Sequence, residues 1–294
     1  METRILNYFL TIAKLGTVSA AARELHVAQP TLSRQIQQLE SELGTPLFTR
    51  EKHLMILTKA GLAYQLHVQQ ILIELNRANQ LVRNLNNDEL TGTLGIGSVE
   101  STITKFLTPQ LINFHQENPN VIFDLFDADG TAIKEQIDQG LLEVGFVSTP
   151  INTAKYHYLK LPIEDSWGIA VTRDSLLRQH DKISISDLKN LPLIIPHRQL
   201  VRDELYDWLQ ADGISSQIVA EYNLLTNAIY LAQAGLGTLV CISGVELPTD
   251  GKLKFIPIEP RRELKHFLIW RKSSPLSEVA QTFINFLKAQ LSIQ

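Results

Sequence analysis

Residues 18 to 43 read Val18-Ser-Ala-Ala-Ala-Arg-Glu-Leu-His-Val-Ala-Gln-Pro-Thr-Leu-Ser-Arg-Gln-Ile-Gln-Gln-Leu-Glu-Ser-Glu-Leu43, two short helical patterns separated by a turn with room only for a tight corner. That arrangement predicts a helix-turn-helix. Ser19 is expected to cap the first helix by accepting from its first-turn N–H groups, with Ala21, Ala22 and Leu25 on one face. Small alanines let a second helix approach closely. Pro30 suits the opening turn of that helix, where its missing N–H breaks no bond, and Leu32, Ile36, Leu39 and Leu43 repeat at helical spacing. Gly44 and Pro46 end it.

The opposite face of the second helix carries Gln29, Thr31, Ser33, Arg34, Gln37 and Gln38, with no carboxylate before Glu40. Amides and hydroxyls pair with base edges in the major groove, and an arginine forks onto guanine or clamps a phosphate. A carboxylate there would face the phosphates and be repelled. A solvated polar face is the plain alternative; the partner helix and the short turn favour nucleic acid. Residues 47 to 57 place Leu47, Phe48, Leu54 and Ile56 around the polar tip Arg50 to His53. Two short strands there would form a wing whose Arg50, Lys52 and His53 reach phosphates or the minor groove, although such a hairpin can equally be plain structure. Upstream, Ile5, Leu6, Phe9, Leu10, Ile12 and Ala13 give a helix with a broad apolar face that packs behind the pair.

Thr58 reads as an N-cap, and a helical pattern follows from Lys59 to about Asn87 with Gly61, Tyr64, Val68, Ile71, Leu75, Ala78, Val82 and Leu85 alternating spacings of three and four. A helix of about 29 residues is about 43 Å long, beyond what a small domain covers. Val68, Ile71, Leu75, Ala78, Val82 and Leu85 are therefore the expected dimer seam, the alternative being a helix lying along its own domain. A dimer joined there sets two reading helices on neighbouring turns of the duplex, so the operator should have two-fold symmetry.

Composition permits this reading without establishing it. Net charge is −4 over 294 residues, but residues 1 to 60 carry +2 and the remainder −6. No apolar run approaches a membrane span and the N-terminal segment is amphipathic, so no membrane partner is expected and the expected address is the cytoplasm. The single cysteine, Cys241, excludes an intrachain disulfide and any multi-cysteine metal site. It reads as a buried small hydrophobe, with a redox sensor as the alternative.

Beyond residue 92 the pattern changes to strand, helix, strand: strands at 93–97, 121–126 and 142–147 with helices between, then a second set from Trp167 through Ile242, a strand at 264–270 and a last helix at 276–291. This predicts two α/β lobes with parallel strands and a ligand crevice at the strands' carboxyl ends. The expected boundaries are 1–58 for the winged helix-turn-helix, 59–89 for the linker helix, 91–163 with 264–294 for one lobe, and 164–263 for the other. Ser98, Ser101, Thr102, Ser148 and Thr149 at one set of strand ends, facing Pro196, His197, Arg198, Asn223 and Thr226, are candidates for a small polar or anionic effector. Hydroxyls at strand ends also serve as mere caps.

Phe9, Ala21-Ala22, Leu25, Val27, Gln29-Pro30, Leu32-Ser33-Arg34, Ile36, Leu39-Glu40, Leu43-Gly44, Leu47-Phe48, Arg50 and Leu57-Thr58-Lys59-Ala60-Gly61 closely resemble the motif of LysR-type transcriptional regulators. The likeness continues through Gly140 to Gly145 and Ala234 to Gly237. It implies a winged helix-turn-helix, a dimerising linker helix and a two-lobed domain similar to periplasmic binding proteins, within a homotetramer built as a dimer of dimers. Gln29, Pro30, Ser33 and Arg34 fall where that family approaches DNA, and Arg50 where it touches the backbone. The expected partners are two-fold symmetric double-stranded operator DNA, a small-molecule co-inducer, other copies of the chain and RNA polymerase, with no cofactor, no metal and no catalytic residue. Against the competing reading of an α/β enzyme, the sequence has no Gly-rich phosphate loop, no G-x-S-x-G and no H-E-x-x-H, and its histidines read as surface or packing residues. The other competing reading is a different winged-helix family without a metabolite co-inducer.

Overall fold

Phe9 and Ile12 of α1 (Thr3–Leu15) are fully buried in one cluster with Ala21 of α2 (Val18–Glu24) and with Leu32, Ile36 and Leu39 of α3 (Gln29–Leu43). The computed structural model describes residues 2–84, 89–211 and 217–292, and contacts divide the chain at Asp88/Glu89 into two units. In the first unit α2 begins two positions earlier than a Ser19 cap would place it. Thr17 is the cap, its side chain accepting from Ala20 N, whereas the Ser19 hydroxyl donates to Gln29 Oε1 at 3.2 Å. Leu43, at the end of the apolar repeat, is 40% exposed beside the left-handed Gly44, because the helix has run past the core.

A hairpin of β1 (Phe48–Glu51) and β2 (Leu54–Leu57) turns at Lys52 and His53. Three contacts fix it. Glu40 on α3 accepts from Leu47 N at 2.7 Å and Phe48 N at 3.0 Å, and Met55 N donates to the carbonyl of Gly16 at 2.8 Å. Phe9 meets the Phe48 and Tyr64 rings at 5.3 and 5.1 Å between centroids. Thr58 caps α4 (Lys59–Asn84), accepting from Gly61 N at 2.9 Å. Gly61 lies against the hairpin's entry so closely that a Cβ would come 2.1 Å from the Leu47 carbonyl oxygen.

The second unit is a two-lobed α/β structure. The chain runs β3 (Gly92–Ser98), α5 (Ile103–Glu117), β4 (Val121–Asp127), α6 (Gly130–Asp138) and β5 (Val144–Ser148), then enters β6 (Tyr156–Thr172), a single strand of 17 residues shared by both lobes. Lobe 2 follows with β7 (Ile183–Ser184), β8 (Pro192–Pro196), α7 (Gln199–Ala211), β9 (Gln217–Tyr222), α8 (Leu225–Gln233), β10 (Thr238–Ile242) and β11 (Leu253–Glu259). The chain returns to lobe 1 in β12 (Glu263–Arg271) and ends in α9 (Glu278–Ser292). Strand order is β4-β3-β5-β12-β6-β10-β8-β9, with β11 also paired to β6. The β3, β4 and β5 pairings are parallel, as the βαβ pattern predicts, while β12 and β6 are antiparallel to their neighbours.

Residues 156–166 of β6 pair with β12 and residues 167–172 with β10 and β11, so the lobe change lies inside an unbroken strand. The sequence reading takes only Trp167 onward as strand, because Pro162 and the charges at Lys160, Glu164 and Asp165 obscure the alternation. In lobe 1, Gly97 and Gly145 are ladder partners, and Ile133 of α6 sits on them so closely that a Cβ at either would approach it within 2.7 Å. Glycines there bring α6 down onto the sheet. Glu143 holds the last helix by accepting from Ser277 N and Ser277 Oγ. Cys241 is buried against α8, and burial pushes its thiol up to about 12, so it stays protonated and inert at neutral pH. No helix among the described residues is long and apolar enough to cross a membrane.

The close approach at Gly61 gives a direct stability expectation. Gly61→Ala must push α4 away from the hairpin, an overpacking cost of about 1–3 kcal/mol. Amide hydrogen exchange on the full chain should show faster exchange in α1, α4 and the hairpin with the second unit unchanged; unaltered protection in α4 would contradict the contact.

Candidate nucleic-acid interface and interlobe cleft

On α3, Leu32, Ile36 and Leu39 face the core and Gln29, Pro30, Thr31, Arg34, Gln37 and Gln38 are exposed, with Ser33 half-buried. Placing Pro30 in the first turn leaves the N-terminal residues of the helix projecting outward. The hairpin tip rises beside them. Gln29 and Ser33 share one groove, of about 470 Å³, with Arg50, Lys52 and His53 and with Thr17, Val18 and Ser19. Lys52 has φ of 57°, the left-handed turn conformation that a two-residue hairpin loop asks of its first residue. One amide, three hydroxyls and two cations thus line a trough open to solvent, with Arg34 and Gln37 exposed farther along the helix.

The stripe along α4 divides. Val68 belongs to the core of its own unit, fully buried with Tyr64 and Leu72 packed nearby, so it does not form part of an open seam as the spacing predicts. Its covering partners come from the helices and hairpin, which the heptad-like count does not see. Beyond it Ile71 is 50% exposed and Val82 59%, with Leu75 and Ala78 also exposed between them, a row of apolar side chains on one face. Leu85 lies outside the described residues.

In the second unit a cavity of about 120 Å³ opens between the lobes. Of the sequence candidates it gathers Ser148, Pro196, Arg198 and Asn223, and adds Val99, Glu100, Asp129, Trp167, Tyr222 and Leu225. Glu100 and Asp129 follow the carboxyl ends of β3 and β4, where the crevice rule points, but the sequence reading weighs only hydroxyls there. Glu100 reaches across the lobes, Oε2 accepting from Leu225 N at the start of α8 at 2.6 Å. Arg198 Nε donates to Thr131 Oγ1 at 3.3 Å, and its Nη2 is buried without a hydrogen-bond partner among the described residues. Burial lowers the Arg198 pKa against the opposing charge of Asp129, and burial together with Arg198's charge lowers Lys134 to about 8.

Other candidates are engaged elsewhere. His197 is exposed and its Nδ1 lies 2.9 Å from Glu221 Oε2, which also receives Arg202. Ser101 and Thr226 line a separate groove between α5 and α8, and Ser101 Oγ accepts from Ile103 N at the start of α5. The Ser98 hydroxyl faces the Val99 carbonyl, and Thr149 contributes its backbone N–H to Lys265 O. Thr102 is held by a buried carboxylate: its N and Oγ1 both donate to Asp165, at 3.1 and 2.5 Å.

That carboxylate is the centre of a buried network that local sequence gives no sign of. Asp165 on β6 and His266 on β12 are both 0% exposed, with His266 Nε2 2.8 Å from Asp165 Oδ2 and His266 Nδ1 3.0 Å from Ser148 Oγ. His266 is thus neither a surface nor a plain packing histidine. Ser243 Oγ donates to Asp165 Oδ1, and at Gly244 a Cβ would fall 2.2 Å from Thr102 N. Burial opposes ionisation of Asp165, but hydrogen bonds from His266 and Thr102 outweigh it and hold the carboxyl below the usual carboxylate range.

The model of the LysR substrate binding domain matches residues 87–292, and that of the bacterial regulatory helix-turn-helix protein, lysR family, matches residues 3–62. The chain is 30% identical over 292 residues to the HTH-type transcriptional regulator CzcR of Bacillus anthracis, covering 98% of this chain and 97% of the relative. The chain belongs to the LysR family. It is a LysR-type DNA-binding transcriptional regulator. Another relative, the HTH-type transcriptional regulator AlsR of Bacillus subtilis (strain 168), is 29% identical over 81% of this chain and 79% of its own length. Among solved structures, CbnR, a LysR family transcriptional regulator, superposes with a TM-score of 0.78 at 25% identity, covering 98% of this chain and 99% of that one. Full-length CbnR complexed with its target DNA gives 0.76 at 24% identity with the same coverage.

Removing His266 takes away one of the donors on the buried Asp165 carboxylate. His266→Ala should destabilise the second unit by about 1.5–3 kcal/mol, seen as a lower melting temperature for that unit in calorimetry. Because the Asp165 pKa is depressed on folding, its contribution is present above the unfolded carboxylate value of 3.8 and is lost as pH falls through the lower folded value. An unchanged acid unfolding curve in Asp165→Asn would reject that assignment.

Proposed function

We propose that this LysR-type regulator reads operator DNA with the outward face of α3 and the tip of the hairpin, and that a small-molecule effector bound between the lobes modulates that binding or the resulting activation. The observation that carries the DNA assignment is the shared groove, which sets Gln29 and Ser33 beside Arg50, Lys52 and His53. Gln29, Pro30, Thr31, Ser33, Arg34 and Gln37 enter the major groove, where amides read adenine edges and Arg34 takes guanine or phosphate. Arg50, Lys52 and His53 follow the backbone into the adjoining groove. The lining of that groove has no carboxylate, so it favours phosphates.

Two copies join through the exposed part of α4, Ile71, Leu75, Ala78 and Val82, and pair again into a tetramer on a two-fold symmetric operator. Effector contact falls to Ser148, Arg198 and Asn223 in the cleft, with the Arg198 guanidinium supplying positive charge for an anionic group.

Arg34→Ala should weaken specific operator binding by at least ~1 kcal/mol at fixed salt, the loss of one base or phosphate fork. Quantitative footprinting upstream of the gene measures it, and an unchanged affinity and footprint would remove Arg34 from the interface. Leu75→Arg puts a charge in the middle of the exposed row, and sedimentation should then find monomers at concentrations where the native chain associates. Intact oligomers would reject the α4 seam.

A further inference from the structure

The polar groups of the interlobe cavity are few and are sorted by kind. Along the sheet edge the strand order β4-β3-β5 places Asp129 and Gly130 after β4, Glu100 after β3 and Ser148 at the end of β5. Over the β4 end stands Arg198, its guanidinium 3.3 Å from where a Cβ on Gly130 would lie and its Nη2 buried without a partner among the described residues. Lys134 adds a second positive charge close enough to Arg198 to be repelled by it. The Asp129 carboxylate caps α6 through Thr131 N and Ala132 N and offsets one of these charges. Lys134 Nζ donates to Pro150 O, so this end has a net positive charge with Arg198 as its ligand-facing cation.

The other end offers acceptors. Asp165 is a carboxylate already receiving Thr102 and Ser243, so His266 Nε2 must carry the proton that meets it. With the ring proton on Nε2 alone, Nδ1 accepts and the Ser148 hydroxyl, 3.0 Å away, is its donor. Ser148 is left showing only lone pairs to the cavity. Glu100 has one oxygen on Leu225 N and adds its negative charge to the cavity wall. Of the remaining walls, Val99, Trp167, Leu224, Leu225, Ile242 and Leu264 are apolar, the Tyr222 hydroxyl is spent on Val240 O, and the Asn223 amide can serve either end of a ligand.

From this sorting we infer that the cleft takes a small zwitterion of the amino-acid type, its carboxylate against Arg198 and its ammonium against Glu100 and Ser148. The inference rests on the reading of the cleft as the effector site and narrows it. An anion without an ammonium group would leave Glu100 and the Ser148 lone pairs facing apolar carbon or one another, and an amine without a carboxylate would leave Arg198 Nη2 unpaired. Unpaired buried polar groups are what such a site discriminates by.

Isothermal titration calorimetry on the purified full chain tests it. The probes are the standard amino acids with 4-aminobutanoate and 5-aminopentanoate, each set beside the acid lacking the amino group and the amine lacking the carboxylate. At least one amino acid should bind, with both matched compounds weaker by about tenfold or more. Glu100→Gln should weaken that amino acid by about tenfold while leaving the matched acid unchanged. A plain acid that binds as tightly as its amino analogue, or silence from every amino acid, overturns the zwitterion. Nitrogen NMR of histidine-labelled protein, assigned with His266→Gln, should show His266 protonated on Nε2 alone; a proton on Nδ1 at neutral pH overturns the acceptor role of Ser148. Should dialysable compounds of another class alter operator binding while amino acids do not, the zwitterion fails and the effector reading stands. If no dialysable compound of any class alters it, the effector reading itself fails.

Discussion

A carboxylate without water is tolerated only when donors surround it, and Asp165 meets that condition at the place where the chain changes lobes. Four donor groups reach this β6 side chain from three other segments: Thr102 N and Oγ1 ahead of α5, His266 Nε2 on β12, and Ser243 Oγ after β10. Each segment is therefore positioned by the same charge. The backbone at Gly244 comes so close to Thr102 and Asp165 that no side chain fits, which brings the end of lobe 2's β10 against the start of lobe 1's first helix. The two lobes are joined by a strand that never breaks and by a polar cluster that cannot be partly formed without leaving a buried charge exposed to apolar surroundings.

A second carboxylate does comparable work in the N-terminal unit. Glu40 keeps its charge off the exposed face of α3 by turning inward to the backbone N–H groups of Leu47 and Phe48. It satisfies two donors that no strand partner reaches and fixes where the hairpin departs from the helix. Together with the bond from Met55 to Gly16, this sets the tip at a defined height beside Gln29 and Ser33. The groove owes its shape to these backbone bonds, whereas its chemistry comes from side chains that the packing leaves free.

Most of the first unit can be read from local pattern because its core contacts are short in sequence: Leu32, Ile36 and Leu39 announce their face, and Thr58 its cap. Where that reading missed, the reason is tertiary. Ser19 and Thr17 are equally good caps by composition, and the chain uses Thr17 because its extended backbone precedes the first helical residue. Val68 repeats in register with Ile71 and Leu75, yet is covered by its own unit because α1 and the hairpin end alongside it. In the second unit the βαβ order was legible and the partners of Asp165 were not. They lie up to 101 residues away, and an aspartate in Glu164-Asp165-Ser166 has the local signature of a surface turn.

The same distinction explains why the cleft resists transfer from relatives that share about a quarter to a third of their residues with this chain. Backbone close approaches, such as Ile133 on Gly97 and Gly145 or Gly61 on Leu47, dictate residue type sterically and so specify the frame. At the strand ends the constraint is weaker: Glu100 is tied by one bond from Leu225 N, and Arg198 by one long bond to Thr131 and its place over Gly130. Ser98, Ser101 and Thr102 look like ligand groups by position, but their hydrogen bonds go to a backbone carbonyl, a helix start and Asp165. What remains for a ligand is set by which side chains have bonding capacity left after the frame has taken its share, and that remainder can be counted only once the long-range partners are known.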